Sequence, residues 1–271
     1  MRKLTIGLAL GALFVLGLTT SAYGASTEAT WNSTATGSAA GGSKSAPAAF
    51  TGTWTLTAVN NINPSFRPAT PSSWSWSWEG VTVKQTGIPF CTPEQINDSK
   101  SIAGCPAGSH IGQGDIPGAA FGPTGLGEGP NTECNGKKFD LFNGPAGSLT
   151  LSIDGPPELC GTLGFLGAYP IPITTAGGKS TMTWNIPDNL QHPFPGAEGT
   201  LRGGSMPFNP LKAPKKKAKK GKKKPKKSFL FTSINCKGPR DFTMTVVDTF
   251  GTHVINTTAG NCKAPKKKKK K

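Results

Sequence analysis

The sequence is poor in the ionisable side chains that most enzymes use, with 14 acidic residues and 3 histidines among 271. The acids are scattered and unpaired, which leaves no calcium loop of the EF-hand or repeat type. His110, His192 and His253 lie far apart and no C-x-x-C spacing occurs, so no metal site is predicted. No Walker sequence is present, and Gly112, Gly114 and Gly118 miss the dinucleotide-loop spacing. Gly108-Ser109-His110-Ile111-Gly112 puts histidine where a nucleophile elbow needs serine. Ser109, His110 and Asp115 can be drawn as a triad, but residues adjacent in sequence rarely face each other, and a loop turn is the simpler reading. No catalytic residue and no cofactor are therefore expected, and a hydrolase centred on His110 is kept only as a remote alternative.

Long apolar runs are also missing. The single candidate, Leu4 to Leu18, follows Arg2 and Lys3 and is shorter than the ~20 residues a spanning helix needs. With Ser21-Ala22-Tyr23-Gly24 behind it, residues 1–24 read as a secretory signal peptide cleaved after Gly24, with Ala25 a near alternative. No Cys adjoins that point, so no lipid anchor is expected. No transmembrane segment is predicted after cleavage, and the mature chain is expected outside the cytoplasm, secreted or at the cell surface.

Glycine (36) and proline (24) are abundant, together more than a fifth of the chain against the ordinary ~12%. Long helical periodicities are absent. Short period-two segments recur instead, at Thr53–Val59, Trp74–Trp78 with Val81–Val83, Gly147–Ile153, Ser180–Ile186 and Phe229–Ile234. Asp241–Val247 and His253–Thr258 form a hairpin pattern across Asp248-Thr249-Phe250-Gly251. Residues 91–144 alternate weakly and read as long loops, with one short helical turn at Thr92–Ser99 because Thr92-Pro93 resembles a cap followed by proline. Residues 25–49 are almost all Ser, Thr, Ala and Gly and read as a flexible linker. The expected fold is all-β: one antiparallel β-sandwich over residues 50–262, immunoglobulin-like or jelly-roll-like, with a Lys-rich inter-strand loop at 212–227 and a disordered tail at 263–271.

Six cysteines in an exported chain predict three disulfides, and sequence locality favours Cys91–Cys105, Cys134–Cys160 and Cys236–Cys262 among the possible pairings. Cys105-Pro106-Ala107-Gly108-Ser109-His110-Ile111-Gly112-Gln113-Gly114 resembles the C-P-x-x-S-x-I-G-x-G element of uncharacterised secreted β-rich proteins of actinobacteria. The hairpin between Cys236 and Cys262 resembles the C-terminal part of the same proteins. The resemblance spans roughly Phe90–Cys262; it implies a secreted, disulfide-bonded β protein and carries no catalytic residues.

The net charge of +16 is concentrated. Ten lysines (Lys215, Lys216, Lys217, Lys219, Lys220, Lys222, Lys223, Lys224, Lys226, Lys227) form one run, and six more (Lys266, Lys267, Lys268, Lys269, Lys270, Lys271) end the chain. With these and Arg2 and Lys3 set aside, the 30 basic residues fall to twelve against 14 acidic ones, a charge of −2 for the rest. The runs hold no arginine, so they offer hydrated point charges rather than the bidentate fork of base or phosphate readout. They predict non-specific retention on anionic envelope polymers or acidic polysaccharide, with no specific nucleic acid partner. The alternative is a solvated loop and tail that aid solubility.

Trp74, Trp76 and Trp78 alternate with serine, so a strand lines them on one face at ~6.8 Å intervals. On an exposed face they would make a glycan-stacking strip; under a second sheet they would be core, which area burial favours.

Overall fold

Threonine and serine alternate with large apolar residues along most of this chain, and in a strand such alternation gives one wet face and one dry face. The computed structural model describes residues 24–25, 29–38, 41–123, 132–134, 136–154, 166–193, 195–213, 228–235 and 238–262, and these form an antiparallel all-β protein. In chain order the strands are β1 (Gly24–Ala25), β2 (Ala29–Gly37), β3 (Ser43–Ala49), β4 (Gly52–Asn60), β5 (Pro71–Trp78), β6 (Val81–Val83), β7 (His110–Ile116), β8 (Ala119–Pro123) and β9 (Thr132–Cys134). They continue as β10 (Lys137–Asn143), β11 (Ser148–Asp154), β12 (Gly167–Ala176), β13 (Lys179–Asn185), β14 (Ala197–Leu201), β15 (Gly203–Phe208), β16 (Phe231–Asn235), β17 (Pro239–Asp248) and β18 (Gly251–Asn261). Two short helices, α1 (Pro93–Ser99) and α2 (Asp188–Gln191), complete the set.

An eight-stranded sheet runs β18-β17-β5-β13-β12-β11-β10-β7 and faces a four-stranded one, β1-β2-β4-β15. Two small sheets, β14-β8-β9 and β3-β16-β6, flank this pair. Dry faces meet between the two larger sheets. Trp54 on β4 packs against Trp74 and Trp76 on β5, with ring centroids 6.1 and 5.6 Å apart, and Trp78 packs on Phe208 of β15 at 4.9 Å.

The large sheet curls until its edges reach the small one. On one side β7 comes against β15: Asn209 Nδ2 donates to Ile111 O at 2.9 Å, and the Asp115 backbone N–H donates to Ser205 Oγ at 3.3 Å. Gly114 permits this closeness, since a Cβ there would sit 1.7 Å from Ser205 O. On the other side, the Trp31 indole N–H of β2 donates to Asp248 Oδ2 at 2.9 Å, where β17 turns into β18.

Two expectations are corrected here. Residues 25–49 are not a linker: β2 pairs with β4 in unbroken register from Ala29–Asn60 to Gly37–Gly52, and β3 pairs with β16. The physical reason is Trp31, fully buried and hydrogen-bonded, whose burial offsets the ordering of small neighbours. The sheet domain therefore begins before residue 50. Residues 91–144 are not only loops, because β7 and β10 pair with each other and belong to the large sheet. The helix over Thr92–Ser99 is present, with Thr92 and Gln95 exchanging capping hydrogen bonds. The hairpin at 241–258 is present as β17 and β18.

Candidate functional site

The backbone on both sides of the long lysine run is fixed. Lys212 bridges Phe229 in antiparallel fashion, the Ala213 N–H donates to Ser228 O at 3.1 Å, and the Leu230 N–H donates to Leu211 O at 2.8 Å. Ala213 and Ser228, the described residues on either side of the run, are thus neighbours across a two-strand stem. Lys215–Lys227 and Lys266–Lys271 lie outside the described residues.

Beside the stem is an open groove lined by Val83, Lys84, Gln85, Thr86, Ala146 and Ser228. Its floor is rigid because the Gln85 side chain is fully used. Gln85 Nε2 lies 2.6–3.1 Å from the oxygens of Ser148, Asn143, Gly144 and Pro145, and Gln85 Oε1 accepts from the Gly147 N–H at 2.8 Å. Lys84 and Lys212 add two cations to the body at this place, continuous in sign with the run.

Trp74, Trp76 and Trp78 do share one face, but that face is the dry one. They are 1%, 3% and 1% exposed, so the glycan-stacking strip is ruled out. The four-stranded sheet covers them, and burying three indoles outweighs any gain from leaving them open to sugars. The indole N–H groups of Trp54, Trp74, Trp76, Trp78 and Trp184 are buried among other rings without an oxygen partner.

Ser109, His110 and Asp115 do not form a triad. Ser109 Oγ donates to Pro106 O at 2.8 Å, and Asp115 pairs with Lys138. His110, half exposed, lies instead 2.9 Å through Nε2 from the buried carboxylate of Asp140, which also accepts from Gln113 Nε2 at 3.1 and 3.2 Å. Phe142 supports the imidazole at 4.9 Å between ring centroids. Sequence reasoning missed Asp140 and Gln113, because β10 was not legible as a strand and only the β7–β10 register sets Asp140 opposite Gln113. The Asp140 carboxylate orients the His110 ring, and no described hydroxyl or thiol is hydrogen-bonded to that ring.

Cys91 and Cys105 form a disulfide, with Cα atoms 5.2 Å apart, and tie the segment bearing α1 to the start of β7. Cys262 is also disulfide-bonded. The pairings Cys134–Cys160 and Cys236–Cys262 involve Cys160 and Cys236, which lie outside the described residues. Among the described residues no group of three or more His, Cys, Asp or Glu side chains is placed to hold a metal, and no helix is long and apolar enough to cross a membrane.

Arg240 is buried at the junction of β17 and β16. Its guanidinium lies 5.0 Å from the Phe50 ring centroid and donates through Nη2 to Ser233 Oγ at 2.7 Å. Burial pushes its pKa below the usual arginine value, and the negative charge of Glu79 opposes that shift. It serves the packing of the small β3-β16-β6 sheet. Glu94, in the first turn of α1, is held below the usual carboxylate range by the backbone N–H it accepts and by the Thr92 hydroxyl.

No family model, curated protein or solved structure matches this chain.

Proposed function

We propose that this chain is an extracytoplasmic binding or structural protein without enzymatic activity, retained on anionic envelope polymers or acidic polysaccharide by its two lysine runs. The observation that carries the reading is the confinement of sixteen lysines, with no arginine, to two segments of a chain whose remainder, Arg2 and Lys3 also set aside, is at −2. Every phosphate or carboxylate neutralised releases counterions, so affinity builds with the number of lysines engaged and falls steeply with salt. Absence of arginine removes the planar fork, so the runs bind charge density rather than sequence or stereochemistry. The paired stem at Ala213 and Ser228 supports presentation of the first run away from the sheets. An oxidising compartment is compatible with the Cys91–Cys105 disulfide.

The test compares the full chain with a variant lacking both 214–227 and 263–271 in teichoic-acid pulldown and cation-exchange retention. The full chain is expected to be held at low salt and released as salt rises, and the double deletion to pass through. Equal retention of the two, or retention indifferent to salt, overturns the reading.

A further inference from the structure

The groove beside the lysine stem offers more than a continuation of positive charge. Val83, Lys84, Gln85, Thr86, Ala146 and Ser228 line it, and none of them is acidic or aromatic. Lys84 is exposed and, among the described residues, stands in no ion pair. Thr86 and Ala146 likewise make no hydrogen bond among the described residues, through hydroxyl or backbone N–H, and the Ser228 hydroxyl has no partner there either. The donors left unspent around the groove are therefore one ammonium, two hydroxyls and two backbone N–H groups.

Oxygen atoms that would repel an anion are drawn inward at the same place. The oxygens of Asn143, Gly144, Pro145 and Ser148 converge on Gln85 Nε2, and Gln85 Oε1 is occupied in turn by the Gly147 N–H. The Ile88 N–H closes a turn on Gln85 O at 3.0 Å, and the Lys84 N–H is fixed on Leu230 O at 2.8 Å. These bonds tie together the three segments that present Lys84 with Thr86, Ala146 and Ser228. Lys44 on β3, Lys100 behind α1 and Lys179 at the start of β13 also lack a carboxylate partner among the described residues, yet none of them lines this groove. An unpaired lysine alone does not mark the place; its coincidence with unspent donors and withdrawn acceptors does.

Resting on the polyanion reading, we propose that this groove is the subsite that selects the polymer, taking one phosphodiester unit of a polyol phosphate chain. Lysine binds phosphate as a point charge, and the hydroxyls and backbone N–H groups supply the directed hydrogen bonds. A phosphodiester carries its charge on two free oxygens while its ester oxygens continue the chain on both sides, so it can lie along an open groove. A uronic acid carries its carboxylate on a pyranose ring, whose faces favour aromatic platforms, and the groove has none. Ser228 directly follows Lys227 in the sequence, so one polymer can engage both run and groove, and the first contact raises the effective concentration of the second. The runs hold charge density; the groove adds a preference for phosphate over carboxylate at equal charge.

The test titrates the isotope-labelled full chain with a glycerol phosphate trimer and, separately, with a galacturonate trimer at the same ionic strength, following backbone amide shifts. The phosphate trimer is expected to shift the amides of Thr86, Gly87, Ala146 and Ser228, and the galacturonate trimer to leave them in place. Lys84→Glu should abolish those shifts, and Lys84→Gln should weaken the affinity read from them about threefold, as loss of an exposed ion pair does. Lys179→Glu, which changes the net charge equally, should behave as wild type. Shifts confined to the lysine runs, equal shifts with galacturonate, or equal loss in Lys179→Glu overturns the groove proposal and leaves the polyanion reading standing. Equal retention of the full chain and the double deletion on teichoic acid overturns that reading whatever the groove amides show.

Discussion

Asp248 serves four partners from one buried carboxylate. Its Oδ1 accepts the Phe250 and Gly251 N–H groups and so caps the β17–β18 turn, while Oδ2 accepts the Trp31 indole N–H and lies 3.0 Å from His253 Nε2. Removing a buried acceptor leaves its donors desolvated and unpaired. Asp248→Ala should therefore lower stability by about 2–4 kcal/mol, read as a shift in denaturant midpoint. Trp31→Phe removes one of those donors, so the double variant should lose less than the sum of the two single losses. Tyr169 gives a pH test. Burial raises its pKa above the ordinary 10.0, although the Asn189 amide that donates to it at 3.3 Å works the other way. The folded state thus favours the neutral phenol, and this contribution is complete below pH 10 and lost as pH rises through the folded pKa. Denaturant midpoints measured on either side of pH 10 should fall more steeply for wild type than for Tyr169→Phe.

The strands differ in how plainly they announce themselves. β4, β5, β11, β13 and the β17–β18 hairpin were legible because Thr or Ser alternates with a large apolar residue in each. β2 carries the same alternation around Trp31, but its other positions are Ala, Ser and Thr, and the composition of a linker masked it. β7 and β10 were hidden for a different reason. Gly112 and Gly114 occupy inward positions on β7 where packing ordinarily demands a large side chain, because the edge of the other sheet comes too close for one. Gly114→Ala would drive a methyl into Ser205 O, so it is expected to cost about 1–3 kcal/mol and to open the β7–β15 seam. Hydrogen exchange at the Asp115 amide should rise in that variant more than at amides of β17.

On the scale of the whole molecule, charge and fold are separate. The sheets bury their aromatic faces against each other and carry short uncharged hydroxyl side chains on the outside, while most positive charge sits on segments attached at Ala213, Ser228 and the C-terminal side of Cys262. Deleting both lysine segments should accordingly leave the thermal transition unchanged while abolishing retention on polyanions.

Composition and periodicity alone determined the all-β class, eight of the eighteen strands and the place of the lysines, because these depend on local alternation and on counting. The Cys91–Cys105 disulfide was also within reach, as the two residues are near neighbours in the chain. Tertiary structure alone decided which wet and dry faces were which. The Trp74–Trp78 strip became core rather than binding surface because a second sheet covers it, and His110 found Asp140 across a strand pair rather than Asp115 along its own strand. Alternation says that a strand has two faces; only the packing of sheet on sheet says which one meets water.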